Sequence, residues 1–141
     1  MNGVNLDQLG RRDSTHYGGM DYPRLEQAVG EWSAELGLEP ALFHTNSEAA
    51  FVEHLHRLDG IADGILLNPG AWTHYSWAIR DALEIASLPA VEVHLSDVDR
   101  REDFRKVSVI SDLCFATVKG QGPEGYREGL RLLRDRLAGD R

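Results

Sequence analysis

The chain has 141 residues, a formal net charge of −8, 42% hydrophobic and 27% charged residues, and a single cysteine. That balance describes one folded domain, residues 1–141. It excludes a phosphate-backbone surface, which needs clustered Lys and Arg, so no nucleic acid is expected as a partner; no apolar run reaches the ~20 residues of a bilayer span, so no membrane is expected either.

The segment MNGVNLDQLG lacks the basic, apolar, small-residue order of a secretory signal, and Cys114 alone closes no internal disulfide. A cytoplasmic protein is expected. From Tyr22 to Gly37, Leu25, Ala28, Val29, Trp32 and Leu36 recur at three- and four-residue steps behind Asp21 and Pro23, which predicts an amphipathic helix. Ala41–His44 reads as a short strand. Ser47 then reads as the N-cap of a helix through Phe51, Leu55 and Leu58, closed by Asp59-Gly60. The run GILLN, 64–68, predicts a parallel strand buried on both faces, and residues 75–86 return to helical spacing through Ala78, Ile79, Ala82 and Ala86. AVEVHL, 90–95, is the next strand, DVDRREDFRK a charged loop or short helix, and CFATV, 114–118, a further strand. The last helix follows Pro123 and buries Tyr126, Leu130, Leu133 and Leu137.

Strands alternating with helices at this spacing predict an α/β fold: an open parallel sheet with helices on both faces. In such sheets ligands bind outside the carboxyl ends of the strands. That rule selects NGVNLDQLGRRDSTHYGG, TNSE, NPGAWTH, HLSD and KGQGPEG. The first of these begins almost at Met1, so the strand leading into it is expected to be truncated, with the start lying downstream of the natural one.

Within those segments the chemistry is unevenly spread. His54 and His56 are two apart on a predicted helix and face different ways, which makes them surface residues; a zinc site would need a third ligand, and Cys114 opens a strand instead of ending one. No metal is expected. His74 and His94 both lie at turn or strand ends in the ligand-facing layer. Glu92 and His94 alternate with Val91 and Val93, so they point to one face, where a carboxylate bonded to one imidazole nitrogen orients the other toward a substrate. The alternative is a solvent-facing strand edge. GQGPEG lacks the Lys-Ser/Thr of a phosphate loop and reads as a helix-start turn, and a flavin site would want a Ser/Thr- and Gly-rich first loop. In GRRDSTHYGG, an arginine at Arg12 favours the phenolate form of a tyrosine at Tyr17, and Gly18 and Gly19 let the loop fold over a ligand. The alternative is an ordinary exposed loop tyrosine.

Five ordered blocks carry more weight than any one motif. NGVNLDQLGRRDSTHYGG, TNSEAAFVEHLH, ILLNPGAWTHYSWAIRDAL, VEVHLSDVDRREDFR and GPEGYREGLRLL together resemble the type II 3-dehydroquinate dehydratases over essentially the whole chain. The resemblance implies a flavodoxin-like sheet and a dehydration of 3-dehydroquinate to 3-dehydroshikimate by anti elimination, with no metal and no cofactor. It implies Tyr17 as the base, Arg12 as the arginine that favours tyrosinate, Asn5 as support for a water at the enolate oxygen, His94 as the acid and Glu92 as its orienting partner. Asn68, His74 and Arg105 match ligands of the substrate hydroxyls, and Leu95 and Ser96 match the carboxylate site. Asp81 matches an acid brought to a neighbouring subunit's site, which implies a homo-oligomer, a dodecamer built from trimers. The tyrosine loop would be a mobile lid.

The same residues would serve a dehydratase of an amino analogue of dehydroquinate, and a non-catalytic ligand-binding or assembly paralogue is the third alternative. Intact Arg12, Tyr17 and His94 count against the last. The chain also departs from the family's usual residues: Val4 and Ser14 stand for proline, Asp99 for a neutral residue and Val109 for tyrosine. A looser loop and weaker substrate binding are expected from these.

Overall fold

The computed structural model describes residues 1–140. Its sheet has three parallel strands in the order β1 (Ile65–Leu67), β2 (Ala90–His94) and β3 (Ala116–Lys119). Five α-helical segments accompany it: α1 (Ser14–Tyr17), α2 (Tyr22–Glu35), α3 (Glu48–His56), α4 (Trp77–Ala86) and α5 (Glu124–Gly139). The long helices begin where side chains satisfy their first free N–H groups. Asp21 accepts from Arg24 N–H ahead of α2, Ser47 from Ala50 N–H ahead of α3, and Ser76 from Ile79 N–H ahead of α4.

Period-two alternation on β2 divides the core. Val91 and Val93 pack with Val118 against Leu25 and Val29 of α2 and Tyr126, Leu130 and Leu133 of α5. Ala90, together with Ile65 and Leu67 of β1, packs against Phe51 and Leu55 of α3 and Ile79, Ala82 and Leu83 of α4. Each of these large apolar side chains is worth about 1.5 to 3 kcal/mol when fully buried. Helix α5 lies close to the sheet because Gly129 faces it: a Cβ there would stand 2.6 Å from Leu66 Cδ1. Ala90 pairs with Ile65 and Glu92 with Leu67 on one side of β2; on the other, Glu92 pairs with Thr117 and His94 with Lys119. The α/β architecture with helices on both faces is the one expected from the sequence, and no helix among the described residues is long and apolar enough to cross a membrane.

Three local expectations need correction. Ala41–His44 does not build a ladder; only His44 bridges, to Asn2. The strand ahead of the first loop is not missing altogether, because Met1–Gly3 occupies its place: Asn2 forms parallel bridges to both His44 and Asn68, Gly3 N–H donates to Asn68 O at 2.8 Å and Asn68 N–H to Met1 O at 2.9 Å. The Met1 ammonium donates to Leu66 O at 2.7 Å, and burial pushes it down to about 5. His54 is not a simple surface residue, since its ring stacks on Phe43 with centroids 3.8 Å apart. The charged segment after β2 forms two 3-10 turns, Val98–Arg100 and Asp103–Lys106. GQGPEG is a helix-start turn, as expected, with α5 opening after Pro123.

Candidate active site

A cavity of about 120 Å³ opens at the carboxyl ends of the strands, where the loops after Met1–Gly3, β1 and β2 converge. Its lining includes Asn5, Arg12, Tyr17, Asn68, His74, His94, Leu95, Ser96 and Arg105, together with Arg101. Two expected residues are not in the lining. Glu92 lies behind His94, and Asp81 stands exposed on α4.

The first loop is more structured than its composition suggests. Leu6–Arg11 is a 3-10 helix that buries Leu6 and Leu9, and α1 follows, with Asp13 accepting from Thr15 N–H at 2.8 Å. Tyr17 ends α1 half-buried against the α2–α5 side of the core, which corrects the alternative of an ordinary exposed loop tyrosine. Gly18, at φ 80°, turns the chain against Pro123: a Cβ there would meet Pro123 Cδ at 2.6 Å. Asn5 sits at φ 66° at the root of the loop, its N–H donating to Asn46 Oδ1 at 2.7 Å.

Two guanidinium groups meet at the phenol oxygen of Tyr17. Arg12 donates to it and lies 4.2 Å from the ring centroid; Arg101 donates to it at 2.6 Å and reaches Ser96 Oγ at 3.3 Å. Arg12 was legible in the sequence, but Arg101 was not. Both guanidinium groups thus present their donors to one oxygen.

The second chemical group is the Glu92–His94 pair. Glu92 is 0% exposed and His94 7%, so a solvent-facing strand edge is ruled out. Glu92 Oε2 lies 2.5 Å from His94 Nε2 and 2.5 Å from Thr73 Oγ1, and Ser108 Oγ donates to Oε1 at 2.9 Å. Burial alone would push the Glu92 carboxyl up; the hydrogen bond and charge of His94, then the hydroxyls of Thr73 and Ser108, outweigh it, and the net shift is downward. His74 lies beside His94, with centroids 6.4 Å apart. Burial pushes the His74 imidazole down against the bond to the Val107 carbonyl, with His94 and Arg105 adding to the lowering, so it is held neutral near pH 7.

The remaining walls are donors and acceptors held from behind. Asn68 is buried, with Nδ2 donating to Tyr126 Oη at 3.0 Å and Oδ1 accepting from Gly70 N–H at 3.1 Å. The carbonyls of Leu95 and Ser96 are taken by Gly122 N–H at 3.0 Å and Gly120 N–H at 3.1 Å. In a trans peptide the Ser96 N–H points opposite to the Leu95 carbonyl, away from that turn. Arg105 bonds Glu102 at 2.8 Å. Asp99 does not join the cavity lining; it pairs with Lys119 at 2.6 Å, which removes the electrostatic reason for expecting weaker binding of an anion.

The chain matches the family Dehydroquinase class II over residues 1–134. It is 44% identical over 137 residues to the 3-dehydroquinate dehydratase of Thermotoga maritima, covering 97% of this chain and 94% of that one. Among solved structures it resembles the type II dehydroquinase of Butyrivibrio crossotus, at 39% identity and a TM-score of 0.90 over 94% of this chain and 92% of that one. The type II dehydroquinase of Propionibacterium acnes is similar at 37% identity and the same TM-score, covering 95% and 92%. A tyrosine oxygen set between two arginines, facing the same cavity as a carboxylate-backed histidine, thus sits in a chain that belongs to the class II dehydroquinase family.

Proposed function

We infer that this chain dehydrates 3-dehydroquinate to 3-dehydroshikimate, a hydro-lyase reaction, with Tyr17 as base and His94 as acid. The observation that carries the assignment of roles is the convergence of Arg12 and Arg101 on the Tyr17 oxygen in the same cavity as His94. Tyrosinate takes a proton from the carbon alpha to the substrate ketone, and the electrons move onto the ketone oxygen as an enolate. Asn5 supports that oxygen through a held water, which places dipoles where charge develops. As the enolate collapses, the carbon–oxygen bond of the departing hydroxyl breaks and His94 supplies the proton that makes it water. Both catalysts return to their starting states by one proton transfer each, so the step needs no redox partner.

Binding follows from the donors around the cavity. The substrate carboxylate would take the Ser96 hydroxyl and backbone N–H beside Leu95, while Asn68, His74 and Arg105 hold hydroxyls. A neutral His74 with Nδ1 on the Val107 carbonyl keeps Nε2 as an acceptor for one of them. A non-catalytic paralogue would have no need of a buried carboxylate behind His94. The test is the appearance of the conjugated enone by ultraviolet absorbance, with Tyr17→Phe as control. Loss of at least about a hundredfold in kcat is expected for that variant; activity that survives it, or binding without turnover in the parent, overturns the assignment.

The outward face of α4 supports a homo-oligomer, in the family arrangement a dodecamer of trimers. Trp77, Asp81 and Ile85 recur every fourth residue and so share one stripe, and Trp77 is 66% and Ile85 69% exposed. Apolar groups so exposed favour burial against another copy, which would carry Asp81 to that copy's cavity. Trp77→Asp should reduce the mass seen by light scattering and lower activity together; a monomeric parent with full activity would refute the shared site.

A further inference from the structure

The carboxylate of Glu92 is surrounded by donors. Thr73 Oγ1 and His94 Nε2 each lie 2.5 Å from Oε2, and Ser108 Oγ sits 2.9 Å from Oε1 and 3.0 Å from Oε2. The direction of the Ser108 hydrogen follows by counting. Its oxygen accepts from Ser111 N–H at 3.1 Å and from Ile110 N–H at 3.3 Å, which occupies both lone pairs. Its single hydrogen is left for Glu92. Both hydroxyls donate to this carboxyl, and with His94 they hold it below the ordinary carboxylate range despite its burial, so the surroundings favour the carboxylate over an acid that would donate to His94 Nε2. Against a carboxylate at 2.5 Å, His94 Nε2 must carry a hydrogen.

The same segment acts on the second histidine in the opposite sense. The Val107 carbonyl accepts from His74 Nδ1 at 2.7 Å, which leaves the lone pair on Nε2. Residues 107–109 are in turn pinned from behind. Val109 N–H donates to Thr73 O at 2.8 Å, and Arg80 donates to Val109 O at 2.7 Å while pairing with both oxygens of Asp112.

We propose that Val107–Ser108 is a positioning strap that sets the tautomers of both site histidines. Ser108, with Thr73, holds Glu92 as a carboxylate, so His94 keeps Nε2–H throughout: as the imidazolium it supplies its catalytic proton from Nδ1 and is left as the neutral Nε2–H tautomer; Val107 fixes His74 as Nδ1–H, an acceptor through Nε2. The role of His94 as acid rests on the function proposed above, whereas the tautomers do not. The titratable and charged groups facing this cluster are His94, His74, Arg105 beside His74, and the Cys114 thiol. Burial pushes that thiol up to about 12, so it adds no charge near neutral pH.

The test compares imidazole ¹⁵N shifts of the full chain without substrate, and pH profiles of kcat, for the parent, Ser108→Ala, Thr73→Val and Thr73→Ser. The parent should show His94 as Nε2–H and His74 as Nδ1–H. Ser108→Ala and Thr73→Val should each mix the His94 tautomers, move the acid limb of kcat to higher pH and lower kcat about tenfold with little change in KM. Thr73→Ser, which keeps the hydroxyl, should restore the parent behaviour. A parent His94 in the neutral Nδ1–H form, without a hydrogen on Nε2, overturns the proposal. So does an unmoved tautomer and acid limb in both hydroxyl-free variants, even if they melt earlier, because lost capping of residues 110 and 111 alone would do that. If Ser108→Ala does not fold, Thr73→Val decides. Parent tautomers as stated, with no turnover of 3-dehydroquinate, would refute the proposed function and leave the strap standing.

Discussion

Arg101 offers the sharpest test of the proposed roles, because its guanidinium reaches both Tyr17 and Ser96. Its guanidinium bonds the Tyr17 oxygen at 2.6 Å and Ser96 Oγ at 3.3 Å, and its carbon lies 5.3 Å from the Tyr17 ring centroid. Replacing it with methionine keeps the length of the stem and removes the charge and the donors. A hydrogen bond to a charged group is worth about 1.5 to 3 kcal/mol, and Arg12 remains on the same oxygen, so the loss corresponds to roughly a ten- to hundredfold fall in kcat/KM at neutral pH. The bond to Ser96 is lost as well, which should add a rise in KM for the substrate carboxylate. Arg101→Lys keeps the charge as a point donor without the planar fork, so it should fall between the two. Enone formation followed by absorbance reads all three, with circular dichroism melts as the check on folding. If Arg101→Met stays within about twofold of the parent, the two-arginine account of the Tyr17 base is wrong.

Two further outcomes follow from the geometry. Gly18→Ala places a Cβ against Pro123 at a positive φ, so the tyrosine turn should lift away from α5; kcat should drop several-fold while the melting temperature moves by only a few degrees, read by kinetics and calorimetry. Glu92 has its folded-state pKa lowered, so its contribution to stability is present above the unfolded value near 4.5 and is lost as pH falls through the folded value; denaturant unfolding of the parent should weaken across that acidic window, and Glu92→Gln should be less stable at pH 7 and flatter below pH 4.5.

The fold was legible because α2, α3 and α5 announce themselves twice, by an apolar stripe and by a stop or start residue, while α4 shows its stripe alone. Asp21, Ser47 and Pro123 were visible as starts, and the stripes through Leu25–Val29, Phe51–Leu55 and Tyr126–Leu133 are the ones that meet the sheet. Pairing across the sheet is a different kind of fact. His44 makes one bridge and no ladder, and Met1–Gly3 holds its place through neighbours distant in sequence, so neither outcome is written in local alternation. The 3-10 turns at 98–100 and 103–106 are too short for periodicity to register.

In the site, the Glu92–His94 pair could be read from strand alternation alone, since two residues on one face of β2 need no tertiary information. Arg101 could not. It sits in DVDRREDFRK, a charge run whose default is a solvated face, beside Arg100, and the two look alike in sequence. The 3-10 turn after β2 separates them: Arg100's side chain is 87% exposed, Arg101's 11%, aimed at a tyrosine 84 residues away. Ser108 is silent in sequence for the same reason, because its partner Glu92 lies across a loop and its role depends on where two backbone N–H groups point. The departures from the family's usual residues fare likewise. Ser14 in place of proline looked like a loosened lid, yet Asp13 caps the turn that Ser14 begins and Gly18 closes it on the Ser14 carbonyl at 2.9 Å, so the geometry proline would impose is supplied by hydrogen bonds. Asp99 looked like misplaced charge, and Lys119, beside it at the end of β3, neutralises it. A residue type in sequence fixes what a side chain is able to do; only the partner, set by the turn it sits on, decides whether it does it.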